Sequence, residues 1–536
     1  MPKVTIDGNE IEVAPGTTVL QAALSEGALI PHYCYHAGLS IAGNCRMCLV
    51  EVEKAPKLLI GCATQAADGM VVRTNSDRVK RAQAAVMEFL LINHPLDCTI
   101  CDQAGECRLQ EYAVAHGTGR SRYEEPKVAL SKAVDIGRHV MLDQERCIQC
   151  SRCTRFCDEV TGTGELTFFQ RGNRTIIGIS PGRHLDNAYS GNVVDICPVG
   201  ALTLKEFRFA TRVWYLKNTP SVCAACSRGC NVLVAVGRQP EMWTTRGQFD
   251  DRIKRIVPRV NEDVNDHWMC DEGRLSYRRM GTAPRLASAQ APAGTAVDWD
   301  TAVARVASAL GLAGGAGRAA AIFSPRMTSE SAFVWRRVLE GFGRVRFAVR
   351  KRVAGEDDDL LIRADKGGNS TGVDWILGKA ENEADVFEAA ERGEIDLLLV
   401  FGDVLDPRDT APVPEPVRSR VEHLVYVGPF FDAAAERASV VLPTAAWAEE
   451  DGTMVNFEGR VQLVRRAHRP RGEGRPGWRV ALDVAEASGQ ETAAFTSSGD
   501  VLEWLAATVE PFAGLSEDRV GLLGVRRSAG AAAGSR

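Results

Sequence analysis

All sixteen cysteines of this chain lie between Cys34 and Cys270, and none follows in the rest of its 536 residues. Disulfides would spread along a secreted chain and follow a signal sequence. Here the opening MPKVTIDGNEIEV reads instead as a strand, an Asp-Gly turn and a second strand. No apolar run reaches the ~18 residues of a membrane span. The expectation is a cytoplasmic metalloprotein with its metal in the first half. A net charge of −5 argues against nucleic-acid or acidic-membrane binding, and the length implies several domains.

The cysteines fall into four groups. Cys34, Cys45, Cys48 and Cys62 form a loop C…C-x2-C with a distant fourth member, the plant-ferredoxin pattern for [2Fe–2S] with a longer first gap. The hairpin, a helix in TTVLQAALSEG stopped by Gly27 and a strand in LVEVE predict a β-grasp domain around it. Structural zinc is the alternative. His32 and His36 flank Cys34 and are read as structural or surface groups, since four thiols are already present. In the second group an amphipathic helix from Ser76 leads to His94, Cys98, Cys101 and Cys107, spaced H-x3-C-x2-C-x5-C. Imidazole and thiolate both bind iron, but spacing alone leaves zinc, or His94 as a capping residue, open.

The third group, Cys147, Cys150 and Cys153 with a remote Cys197-Pro198, is a [4Fe–4S] pattern of high specificity. Cys157 would extend that run, but Asp158 follows it rather than proline, and no second run partners Cys197. It is read as a spare buried thiol. The fourth group, Cys223, Cys226, Cys230 and Cys270, has C-x2-C-x3-C spacing and a distant member, again of [4Fe–4S] type with zinc as the weaker alternative.

After Arg279, RAAAIFS, IDLLLVFGD and HLVYVGP read as buried strands, with helices in SESAFVWRRVLEGFG and DVFEAAERG between them. That alternation predicts a doubly wound α/β fold. GLAGGAGR precedes a strand and reads as a linker rather than a dinucleotide loop. GVDWILGKA has Ala380 where a phosphate loop needs Ser or Thr, and FGDVLDP has one glycine and no fingerprint. The tail RRSAGAAAGSR reads as disordered.

HPLDCTICDQAGEC, ERCIQCSRC and NVVDICPVGALT, in this order, resemble the large iron–sulfur G subunit of bacterial NADH:quinone oxidoreductase, respiratory complex I. The resemblance runs to about residue 280. It implies one [2Fe–2S] cluster on the first group and three [4Fe–4S] clusters on the others, one of them held by His94 and three cysteines. ASVVLPTAAWAEEDGTMVNFEGRVQ resembles the molybdopterin-oxidoreductase domain that this family carries without its metal. The implied fold is α+β and α/β, in several domains: a β-grasp [2Fe–2S] ferredoxin domain over 1–77, a His/Cys-ligated [4Fe–4S] domain over 78–118 and a ferredoxin-like [4Fe–4S] domain over 138–210. A molybdopterin-oxidoreductase-type [4Fe–4S] domain follows over 216–275, then a truncated α/β domain over 276–510 and a tail over 511–536.

The function implied is electron relay from a flavin-bearing, NADH-oxidising partner towards quinone, through clusters tuned by ligand, hydrogen bond and burial. The chain would have no catalytic residue of its own, would bind no molybdenum, and would sit peripherally on the cytoplasmic face of the inner membrane beside downstream iron–sulfur subunits. A molybdenum formate dehydrogenase shares this cysteine array but needs a metal-ligating Cys or selenocysteine. The cysteine-free second half argues against it, while a hydrogenase-associated electron-transfer subunit and a zinc scaffold remain as rivals. A neutral imidazole makes a cluster one charge less negative than a thiolate does, which favours reduction. His94→Cys is therefore expected to keep a cluster and lower its potential in EPR-monitored redox titration; an unchanged or raised value would give burial and hydrogen bonding the larger role.

Overall fold

A computed structural model describes residues 1–237, 253–410 and 412–528, within two compact units, Met1–Leu216 and Lys217–Arg536. In the first, β1 (Lys3–Ile6) and β2 (Asn9–Glu12) form the expected hairpin, with Asp7 and Gly8 at φ of 49° and 93°. Asp-Gly supplies the two left-handed residues that such a tight turn requires. Helix α1 (Val19–Ser25) starts at Thr18, whose hydroxyl accepts from the Gln21 amide while the Gln21 side chain accepts from Thr18 N–H at 2.9 Å. With β3 (Leu49–Val52), β4 (Leu59–Ile60) and β5 (Met70–Arg73) the sheet runs β2-β1-β5-β3-β4. Val4, Leu20, Val50 and Val72 build the core it shares with α1.

Helix α2 (Asp77–Ile92), capped by Ser76, delivers the chain to His94, and α3 (Arg108–His116) starts directly after Cys107. Then come β6 (Val134–Asp135), β7 (Val140–Leu142) and α4 (Arg152–Arg155), which runs into a π-helical turn at Phe156–Val160. A hairpin of β8 (Leu166–Phe169) and β9 (Ile176–Ile179), α5 (Asn192–Asp195) and β10 (Leu202–Leu204) complete the unit, β10 pairing with β7.

The second unit opens on a sheet of β11 (Leu216–Val222), β12 (Asn231–Gly237) and β13 (Ile253–Pro258), followed by α6 (Asp271–Arg274) and α7 (Ser276–Thr282). Its main body holds β14 (Gln290–Ala291), β15 (Thr295–Ala296), α8 (Trp299–Gly315), β16 (Ala319–Phe323), α9 (Ser329–Gly341), β17 (Val345–Val349) and α10 (Ser370–Leu377). The order continues through β18 (Glu381–Asn382), α11 (Glu383–Glu391), β19 (Leu397–Phe401), α12 (Glu415–Arg418), β20 (His423–Gly428) and β21 (Val440–Pro443). These strands form one sheet, β15-β14-β21-β20-β19-β16-β17-β18, parallel from β21 to β18. Ala319, Ala321 and Phe323 face a core with α8 and α9, while Ala320 and Ile322 face a second core with α11 and α12. Burial on both faces is why β16, β19 and β20 read as unbroken apolar runs.

Two expectations need correction. GLAGGAGR is not a linker at its start: Gly311–Gly315 are the last turn of α8. A Cβ on Gly314 would stand 2.6 Å from the Phe342 carbonyl, so glycine permits the helix end to pack there. Nor does a tail begin at 511. Beyond β22 (Gly452–Val455), β23 (Arg460–Val464), α13 (Gly477–Ser488) and α14 (Ser498–Thr508), Phe512, Leu515 and Val520 join the main core, the last in α15 (Glu517–Val520). β24 (Val525–Arg526) then pairs with β23. The apolar spacing of Phe512, Leu515 and Val520 outweighs the low complexity that follows, and 529–536 lie outside the described residues.

Two carboxyls are buried in this core without a cation. Glu330 accepts from the Thr453 amide at 2.7 Å and hydroxyl at 3.0 Å, and Glu450 accepts from the Gly477 amide at 3.2 Å. Burial raises Glu330 to about 7 and Glu450 to about 8, from 4.5. A carboxyl raised in the folded state adds stability that is complete below its unfolded pKa and is lost as pH rises through the folded one. Glu450→Gln, which keeps an acceptor for Gly477, is expected to flatten that loss. Its Tm should exceed wild type at about pH 8.5 by a few degrees, at about 2–4 °C per kcal/mol, with the gap closing towards about pH 5. Parallel Tm profiles would show that the carboxyl is solvated instead.

Candidate metal centres

Within each of the four groups the cysteines act on one another, while His94 shares a cleft with Cys147 rather than with Cys98, Cys101 and Cys107. The thiols of Cys34, Cys45, Cys48 and Cys62 lie in hydrogen-bonding contact; this holds Cys34 and Cys48 low and Cys45 and Cys62 high, and the Cys34 amide points at Cys45 Sγ, 3.5 Å away. Cys147, Cys150, Cys153 and Cys197 all line one cavity that encloses ≈ 350 Å³ free of protein atoms, counting its mouth. Burial pushes Cys150 up to about 11, Cys147 to about 12 and Cys153 well above its ordinary range. Cys223, Cys226, Cys230 and Cys270 are buried too, with Cys223 raised to about 12 for the same reason. Thiols so raised are protonated at neutral pH, so a metal that binds them as thiolates displaces protons and couples its affinity to folding. Among the described residues no three His, Cys, Asp or Glu side chains converge closely enough to hold a single metal ion.

Local backbone explains the short spacings. Arg46, Gln149 and Ser151, each inside a C-x2-C turn, have φ of 59°, 55° and 63°, and Gly105 and Gly229 take φ of 92° and 64° in the other two groups. A left-handed residue between right-handed ones turns successive amides towards one point, a cradle for an anionic group. The Gln149 amide lies 3.4 Å from Cys147 Sγ, and the Gly273 amide 3.4 Å from Cys270 Sγ. For a residue with a side chain this conformation costs about 1–3 kcal/mol. The cost is tolerated where a bound group repays it.

The second group is the most open. Cys107 is raised to about 11 by burial, with Cys101 and Cys98 adding repulsion, whereas Cys98 is exposed. His94 Nδ1 is buried without a hydrogen-bond partner, and burial, then Arg146, lowers the ring to about 4. It is therefore neutral, the form that ligates metal. Arg146 also acts on Cys101, and His94 shares a cleft with Cys147. Of the flanking histidines, His32 is buried, bound through Nδ1 to the Ile30 carbonyl at 2.8 Å and through Nε2 to Arg108 at 3.1 Å. Cys157 is fully buried in the π-helical turn, raised to about 12 by burial.

Within the first unit the third group is the junction. Asn44 Nδ2 donates to the Gln149 carbonyl at 3.2 Å, and the Ser40 amide to Glu159 at 2.8 Å, which ties the Cys34–Cys45 loop to the turns before and after α4. On the other side the His/Cys loop seats on the segment after Cys197. A Cβ on Gly200 would stand 2.1 Å from Cys101 Sγ, Cys107 Sγ lies 4.0 Å from the Pro198 carbonyl, and Arg212 donates to the Cys101 carbonyl at 2.8 Å.

In the second unit the fourth group rests on residues far along the chain. Gln462 Nε2 donates to the Gly229 carbonyl at 3.0 Å and Trp447 Nε1 to the Val222 carbonyl at 2.9 Å. The Phe457 amide donates to the Ser227 carbonyl at 2.9 Å, and a Cβ on Gly368 would stand 2.7 Å from Ala224 Cα. Sequence reasoning missed these supports, and Gly200 with them. The only signal for the arginines near the third group was their interleaving with cysteine in CSRCTRFC.

Comparison with known proteins follows the same divisions. Residues 2–77 match a 2Fe-2S iron-sulfur cluster binding domain, and 83–122 an NADH-ubiquinone oxidoreductase-G iron-sulfur binding region. Residues 137–203 match the ferredoxin-like domain of NADH-quinone oxidoreductase subunit 3, 216–278 an NDSU1/NuoG-like 4Fe-4S domain, and 363–487 molybdopterin oxidoreductase. The G subunit of NADH-quinone oxidoreductase from Rickettsia bellii is 46% identical over 277 residues, 52% of this chain and 39% of that protein. Its Rickettsia typhi counterpart is 45% identical over the same shares. The chain thus spans about two fifths of the length of these relatives. A chain in a crystal structure of an NAD+-reducing [NiFe]-hydrogenase is 31% identical, covering 40% of this chain and 91% of that one, at a TM-score of 0.36. Since any side chain at 200 would meet Cys101, Gly200→Ala is expected to cost the anaerobically reconstituted chain the iron of one cubane and leave the [2Fe–2S] EPR signal. Unchanged iron and sulfide would show that the loop yields.

Proposed function

The cysteine-bearing half of this chain belongs with the G subunits of NADH-quinone oxidoreductase, and from that premise we propose that the chain relays electrons between a flavin-bearing partner that oxidises NADH and downstream iron–sulfur subunits, towards quinone. The observation that carries this reading is the packing of three cysteine sets in one unit, with the Cys147/Cys150/Cys153/Cys197 set joined to the other two by Asn44 and Gly200. We assign Cys34, Cys45, Cys48 and Cys62 to a [2Fe–2S] cluster, and His94, Cys98, Cys101 and Cys107 to a [4Fe–4S] cluster. Two further [4Fe–4S] clusters go to Cys147, Cys150, Cys153 and Cys197 and to Cys223, Cys226, Cys230 and Cys270. Bound clusters of this kind take up and return single electrons without a proton donor or nucleophile from the protein.

The residues do three things. The thiols and His94 hold the iron, left-handed turns aim amides at sulfur, and burial keeps water away, which together tune potential. No helix among the described residues is long and apolar enough to cross a membrane. We place the chain peripherally, at the cytoplasmic face of the inner membrane, through its partners. Anaerobic reconstitution with iron, sulfide and molybdenum analysis is expected to find one [2Fe–2S] and three [4Fe–4S] clusters and no molybdenum. Zinc without iron would sink the relay, and stoichiometric molybdenum would turn the reading towards formate dehydrogenase.

A further inference from the structure

Arg152 lies between Cys150 and Cys153, at the start of α4, and is 5% exposed. Its Nη1 donates to the Ile196 carbonyl at 3.0 Å and its Nη2 to the Tyr35 carbonyl. Ile196 precedes Cys197 and Tyr35 follows Cys34, so one guanidinium reaches from the first cysteine set to the closing loop of the third. Its Nε is buried with no partner, and no carboxylate among the described residues pairs with it. The titratable groups facing it are the thiols of Cys150, Cys197 and Cys34, and a second cation, Arg108, faces it too. Arg155, one turn on, is spent on the Cys34 and Ser40 carbonyls.

Burying a charge costs several kcal/mol unless an opposite charge is held against it. Two carbonyls solvate a guanidinium, but they bring no net charge, and Arg108 makes the balance worse. The thiolates of the two metal centres whose loops Arg152 bridges would supply what is missing. We propose that Arg152 is a positioning residue, the shared counter-charge of the centres at Cys34/Cys45/Cys48/Cys62 and Cys147/Cys150/Cys153/Cys197, and that it raises both reduction potentials together. This rests on the cluster assignment above. Each reduction adds one electron, supplied in the test by mediated dithionite, and a fixed cation favours the more negative, reduced state. No bond to Arg152 forms or breaks.

The test is EPR-monitored redox titration of the full chain, anaerobically reconstituted, with iron and sulfide counted. Arg152→Gln removes the charge and retains amide donors. It is expected to lower both midpoint potentials by at least about 59 mV, which is tenfold in the reduced-to-oxidised ratio of a one-electron couple. Arg152→Lys keeps the charge and is expected to keep both potentials near wild type. Full iron content with either potential unchanged in Arg152→Gln overturns the proposal. If Arg152→Gln does not assemble, Arg152→Lys decides: retained potentials support the counter-charge, and lowered potentials or loss of both centres leave only a structural clamp. Zinc without iron in the wild-type chain is a separate outcome, which refutes the cluster assignment itself.

Discussion

Taking a thiol out of water raises its pKa and makes the thiolate costly, and the first half of this molecule holds most of its cysteines in that condition. The surrounding structure is arranged to offset that cost for a bound anionic group. Amides are turned inward by left-handed residues at Arg46, Gln149 and Ser151, and the guanidiniums of buried Arg152 and half-buried Arg155 reach the Cys34–Ser40 loop. A cavity is left between Cys147, Cys150, Cys153 and Cys197 rather than filled with side chains. Each device is unfavourable in an empty protein. Together they suit a chain in which a bound anionic group would add to the stability of the fold.

The second unit follows a different logic. Its parallel sheet is buried on both faces and closes over two apolar cores, as any doubly wound domain does. What ties this sheet to metal chemistry is the segment around Trp447, Asn456, Phe457 and Gln462. Its donors meet the carbonyls of the Cys223–Cys230 loop or of Val222 just before it. The stretch most recognisable as molybdopterin-oxidoreductase sequence thus serves here as the floor of a cysteine loop.

Much of this was legible in the sequence because the signals were local. Hairpin, cap and strand signals in the first domain depend on neighbours a few residues apart: Asp7-Gly8 made its turn, and Thr18 and Ser76 capped their helices. Cysteine spacing is equally local, since C-x2-C is a statement about one turn of chain. The misreadings came where packing decided. Gly314 ends a helix because a carbonyl from Phe342 occupies the place of its side chain, and Phe512 to Val520 are core because α13, α14 and the sheet leave apolar surface there.

By itself the sequence determined the spacing of the cysteines and the family they resemble, because short spacing survives any arrangement of the rest. Tertiary structure alone decided which sets are neighbours. It put the Cys34 loop and the Cys101 loop each in contact with the third set, and it set the Arg152 guanidinium between the first and third. Those contacts join residues far apart in the chain, 117 positions for Arg152 and Tyr35, and no spacing rule encodes them. They follow from which loops can be brought together without leaving a buried charge or carbonyl unpaired.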